Sequence, residues 1–122
     1  MSKISMAVVT MIAVILCVNA AYAHPVLQSA EPAAGSAVPS PTQIRIMFNE
    51  NAIPQFSGIE VKDHAGKLVA TGKATTDPGD KKKLVVAVQE TLPPGEYKVE
   101  WHAVSDDNHR VKGNYSFTVA PR

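Results

Sequence analysis

His24 carries the most distinctive chemistry in this sequence. It follows Ala21-Tyr22-Ala23, an A-x-A pattern of the kind signal peptidases cut. Cleavage after Ala23 leaves His24 first in the chain, with a new α-amine and an imidazole on the same carbon. The two nitrogens can close a six-membered chelate ring on a metal ion. Pro25 narrows the mode of binding. Cu(II) at a free N-terminus often captures deprotonated backbone amides, and proline has no N–H to give. Ring and amine then remain as the chelating pair. A second set lies far along the chain in Asp107-Asn108-His109. In an extended segment, positions two apart project to the same side, so the Asp107 carboxylate and the His109 imidazole can face one point. Together the two sets offer three nitrogens and one oxygen, which suits a tetragonal Cu(II) centre.

Each of these residues has a plainer alternative. A terminal histidine can be an accident of cleavage. Asp107 can simply close a turn, since Asp-Asn runs favour turns. His109 can be a surface residue, and the neighbouring Asp106 reads as solvated. No local pattern brings residue 24 beside residue 109, so their meeting depends on the fold.

The leader reading rests on Lys3, on the apolar stretch Met6 to Val18, and on the small residues that close it. The stretch is short for a membrane span. Cys17 offers a lipoprotein alternative, but Leu16 precedes it where a small residue is normal. The expectation is a signal peptide over residues 1–23 and one exported domain over 24–122. Cleavage removes the one cysteine of the chain, so the exported domain would hold no disulfide and no thiolate site. It would carry 11 Lys+Arg against 11 Asp+Glu. That balance argues against nucleic acid and against anionic membrane as partners. Of the four methionines only Met47 would remain, which excludes a methionine-rich soft-metal site built from this chain alone.

The elements that must position the ligands read as strands. Ile44, Ile46 and Phe48 alternate with polar or exposed neighbours, as do Tyr97, Val99, Trp101 and Ala103, and again Tyr115, Phe117 and Val119. Leu84 to Val88 reads as a buried strand. Ile59 to Lys62 and Leu68 to Thr71 flank Asp63-His64-Ala65-Gly66 and predict a hairpin. Lys81 to Lys83 reads as a solvated turn and a charged guard at a strand start. Proline- and glycine-rich turns separate the runs. About seven short strands in roughly 100 residues predict an all-β, immunoglobulin-like sandwich.

The sequence also resembles a known family. The residues that carry the likeness are His24-Pro25-Val26-Leu27, Pro32 to Ser36, Met47-Phe48-Asn49-Glu50, Gln55 to Gly58, Leu92 to Val99, Trp101 to His109, and Gly113 to Val119. In that order they are similar to the CopC family of periplasmic copper-binding proteins. The resemblance implies a Greek-key sandwich and a Cu(II) site whose ligands map to His24, Asp107 and His109. It maps the acidic end of an F-x-E motif to Glu50, close to the metal site, where it could hydrogen-bond a ligand or a metal-bound water. Some members carry a methionine-rich loop for Cu(I). Nothing like it stands between Gly58 and Gly72, where His64 has no methionine beside it, and His102 lies outside the ligand motif. The resemblance therefore implies one Cu(II) site.

The leading reading is a monomeric periplasmic Cu(II)-binding protein that serves copper homeostasis by buffering, resistance or delivery to a membrane copper transporter of the CopD type. It is not an enzyme on this reading, because a metal site filled by protein groups favours carriage over turnover. Two rivals stand beside it. One is a copper-dependent oxidative enzyme built on the N-terminal His chelate. The other is a sandwich module for protein interaction with no metal.

Overall fold

The computed structural model describes residues 26–122. The leader, the cleavage point, His24 and Pro25 lie outside the described residues. Eight strands run in chain order: β1 (Leu27–Glu31), β2 (Ala37–Val38), β3 (Gln43–Phe48), β4 (Gly58–Asp63), β5 (Thr75–Asp77), β6 (Asp80–Ala87), β7 (Gly95–Val104) and β8 (Arg110–Val119). One short 3-10 turn, Pro54–Phe56, precedes β4. The strands form two four-stranded sheets, ordered β1-β3-β6-β5 and β2-β8-β7-β4. Non-consecutive neighbours such as β3 beside β6 and β4 beside β7 are what Greek-key connections produce. The all-β sandwich predicted from turn spacing is the fold, with eight strands where about seven were expected. The two-residue β2, pairing in parallel with β8, is too short to leave a period-two signal.

The alternating patterns bury the side chains they should. Ile44, Ile46 and Phe48 are fully buried from β3; Val99 and Ala103 from β7 and Phe117 and Val119 from β8 meet them across the interior. Burying such side chains contributes about 1.5–3 kcal/mol each for the larger ones, which is what holds two sheets face to face. Tyr97 is buried too, and its hydroxyl donates to the Pro93 carbonyl at 2.7 Å, closing the turn that leads into β7. Its ring stacks on Phe117 at 5.7 Å.

Two local expectations need correction. Leu68 to Thr71 is not a strand. The turn at Asp63–Gly66 forms, with the Ala65 and Lys67 N–H groups both donating to Asp63 Oδ1. The returning chain then stays beside β4 only through Val69, whose N–H donates to the Val61 carbonyl at 2.8 Å. Beyond it, Gly72 N–H donates to the Ala87 carbonyl at 2.9 Å, and Thr71 bridges to Val88. The segment is crossing between the sheets and cannot keep a ladder on both. The run Leu84 to Val88 is not buried throughout. Leu84 and Val86 face the core, whereas Ala87 is exposed, because one face of this sheet meets solvent. Lys81 to Lys83 belongs to β6 itself, at the strand's beginning.

The two longest strands, β7 and β8, pair along their whole length from Gly95↔Val119 to Val104↔Arg110. The connection between them, Ser105 to His109, therefore sits at one end of the sandwich. His64 is in the turn after β4, near the start of β7 and so at the opposite end.

Candidate metal centre

Ser105, Asp106, Asp107, Asn108 and His109 make a tight hairpin connection. Asn108 N–H donates to the Ser105 carbonyl at 2.8 Å, and Ser105 N–H donates to the His109 carbonyl at 2.9 Å. Asn108 has φ +70°, the one non-glycine residue in the left-handed region among the described residues. Asparagine tolerates that conformation better than most residues, which is why an Asp-Asn pair can turn the chain here. The turn sends Asp107 and His109 to the same side. His109 Nδ1 lies 3.4 Å from Asp107 Oδ2, and the two side chains are 42% and 49% exposed. Two bonds of about 2 Å at a right angle on one ion hold their donor atoms roughly 3 Å apart. The pair thus converges at nearly that spacing and is open to an ion from solvent.

Ser105 organises the pair. It is completely buried, its hydroxyl donates to Asp107 Oδ1, and Ser105 Oγ accepts the His109 N–H at 3.2 Å. One small side chain thereby fixes one carboxylate oxygen of Asp107 and the backbone of His109. The Ser105 hydrogen bond also holds the Asp107 carboxyl below the usual carboxylate range. It outweighs the opposing effect of partial burial, with the charge of His109 and backbone N–H groups adding to it. Asp107 is accordingly a carboxylate at neutral pH, with its second oxygen turned to His109.

A strap of chain from Asn49 to Ile53 lies against this connection. Ala52 forms an isolated bridge with Ser105, Ile53 N–H donates to the Val104 carbonyl at 2.8 Å, and Asn51 Nδ2 donates to Asp106 Oδ2 at 3.0 Å. Asp106 is therefore a latch to the strap as well as a solvated carboxylate. At its other end the strap holds the start of the described chain. Val26 N–H donates to Asn49 Oδ1 at 2.6 Å, and Asn49 N–H donates back to the Val26 carbonyl at 3.1 Å. Glu50 sits between these two anchor points, half-buried in the strap.

Of the residues singled out in the sequence, Asp107 and His109 are brought together, and Glu50 is carried on the adjoining strap. His24 lies outside the described residues. Among the described residues no group of three or more His, Cys, Asp or Glu is arranged to hold a metal ion, so the pair is not a complete site by itself. His64 and His102 are exposed. Asn49, Asn51 and Ser105 were missed as positioning residues. Ser105 had a readable signal, a hydroxyl two residues before an Asp in a turn-forming run. The asparagines had none, because their partners lie 23 and 55 residues away in sequence.

Comparison with known proteins shows the family and the fold. The CopC domain model matches residues 27–120. Copper resistance protein C of Escherichia coli is 43% identical over 108 residues, covering 81% of this chain and 83% of that protein. The crystal structure of PcoC, a methionine-rich copper resistance protein from Escherichia coli, superposes with a TM-score of 0.73 at 42% identity, over 80% of this chain and 99% of that one. The crystal structure of CopC from Methylosinus trichosporium OB3b gives a TM-score of 0.75 at 33% identity, over 81% and 96%. The chain belongs to the CopC domain family.

Proposed function

We propose that this chain is a periplasmic Cu(II)-binding protein, and that it holds one ion through the α-amine and imidazole of His24, the carboxylate of Asp107 and the imidazole of His109. One observation carries the reading: the Asn49–Ile53 strap ties Val26 at one end and the Ser105–His109 connection at the other. Two residues span at most about 7 Å, so a chain starting at His24 begins within that reach of an anchored Val26. The copper resistance proteins among its relatives support copper as the cargo.

The residues divide the work. Asp107 supplies an anionic oxygen, and Ser105 aims it. His109 supplies a borderline nitrogen on a backbone held by the same hydroxyl. His24 supplies two nitrogens, with Pro25 blocking the slide into backbone amide binding. Glu50, on the strap, would bond a ligand or a bound water. Four protein donors fill a square of positions and leave no strong open one, which favours carriage over turnover. With Met47 the only methionine after residue 11, the site is of the Cu(II) type alone, and the ion passes to or from a membrane copper transporter of the CopD type.

Export and metal competence are linked by one peptide bond. Adding a single residue before His24 removes the free amine from the histidine and breaks the chelate ring. The processed chain and this extended chain should differ in Cu(II) affinity by about 100-fold, since loss of one chelating donor costs several kcal/mol and each 1.4 kcal/mol is tenfold. Equal affinities in competition titrations would overturn the reading.

A further inference from the structure

The solvent face of the β4–β7–β8 sheet changes character along its length. Near the beginning of β7 its cations are answered: Lys62 Nζ lies 3.0 Å and Lys98 Nζ 3.6 Å from the Glu100 carboxylate. Nearer the Asp107–His109 connection, the register sets Arg110 opposite Val104 and Lys112 opposite His102 on the same face. Arg110 and Lys112 form no ion pair among the described residues. With Phe56, His102 and Val104 they line one groove. Phe56 is 64% exposed, while the other two phenylalanines, Phe48 and Phe117, are 0% and 1% exposed. The core does not use this ring. Val104 is buried although Ala103 before it takes the core-facing position, because the Ile53–Ser57 segment lies along the outside of β7; Ser57 Oγ accepts the Val104 N–H at 3.0 Å.

We propose that this groove is a docking surface for an acidic segment, bearing one apolar side chain, of the protein that exchanges copper with this chain. An exposed aromatic ring beside a buried valine takes the apolar side chain, and two unanswered cations at the rim take carboxylates. The charge pattern disfavours a basic partner. An anionic lipid surface fits less well, because such binding draws on clusters of about 4–8 Lys/Arg and this groove has two. Position gives the groove its purpose: Arg110 directly follows His109 in the chain, so a segment seated here lies near the Asp107–His109 connection. That purpose rests on the copper reading, whereas the docking chemistry does not.

The test is an NMR titration of the 15N-labelled processed chain, metal-free, with a blocked peptide of glutamates around a central leucine. Its counterpart with lysines for glutamates and phosphatidylglycerol vesicles are run beside it. Shifts confined to Phe56, His102, Arg110 and Lys112, with none from the lysine peptide, are expected. Arg110→Glu with Lys112→Glu should weaken binding by about tenfold or more, and Phe56→Ala should weaken it as well. Both variants should keep the dispersed spectrum of a folded chain and an unchanged Cu(II) spectrum. Shifts centred on Lys81–Lys83, shifts nowhere, or binding to vesicles and not to the peptide would overturn the groove. A chain that docks the peptide and binds no copper would overturn the copper reading alone. A chain that binds copper and ignores the peptide would overturn the groove alone.

Discussion

At the scale of single residues, one serine holds Asp107 and His109 in place. Ser105 touches both Asp107 and His109 and is fully buried, so its hydroxyl cannot be replaced by water without rearrangement. Ser105→Ala should leave the fold intact while lowering Cu(II) affinity about 10–100-fold, the usual cost of losing a group that orients a metal ligand. A second readout separates orientation from general loosening. Because the Ser105 hydrogen bond is the main cause that depresses the Asp107 pKa, the variant should move that pKa up toward the ordinary carboxylate range. NMR titration of the Asp107 carboxyl carbon reads this directly. The sign for stability follows: a depressed carboxylate contributes above its ordinary pKa, and that contribution fades as pH falls through the folded value. The variant should therefore show a weaker acid dependence of stability than the parent. An unchanged Asp107 titration would show that Ser105 plays no part in tuning the carboxylate.

At the scale of elements, the strap and the β7–β8 hairpin decide where Asp107 and His109 lie relative to Val26. Asn49→Ala removes the acceptor for Val26 N–H. It should cost about 1 kcal/mol of stability and weaken Cu(II) binding only in the correctly processed chain, where the N-terminus matters. Equal loss in the extended chain would mean the strap acts on stability alone. Below the strap, Trp101 packs edge-on against Phe48 with centroids 5.3 Å apart and lies over Gly113. A Cβ at Gly113 would stand 2.6 Å from Trp101 Cζ2. Gly113→Ala should displace the indole and destabilise the domain by about 1–3 kcal/mol, as overpacking does; urea unfolding followed by tryptophan fluorescence measures it. These elements also mark what a sequence can disclose. Alternation in β3, β7 and β8 was readable because one face is buried and the other wet. Asp107 and His109 were readable because a two-residue spacing on an extended chain is local information. The strap was not, since Asn49 and Asn51 act only through contacts distant in sequence. Leu68 to Thr71 misled because a crossing segment with one buried valine has the composition of a strand.

At the scale of the whole molecule, the sandwich separates its jobs by position. The core spans the two sheets, the paired charges of Lys62, Lys98 and Glu100 keep one stretch of the surface solvated, and the Asp107–His109 pair occupies one end. One double layer carries the tied Val26 together with Asp107 and His109. The balance of 11 basic and 11 acidic residues after position 23 leaves local charge, and not overall charge, to guide any partner. We propose that His24 joins Asp107 and His109 on one Cu(II) ion. Electron paramagnetic resonance of the Cu(II)-loaded, correctly processed chain, with pulsed detection of coupled nitrogens, tests it most directly. A tetragonal spectrum with three nitrogens and one oxygen is expected, losing the amine nitrogen when one residue is added before His24. A spectrum indifferent to that extra residue would contradict it.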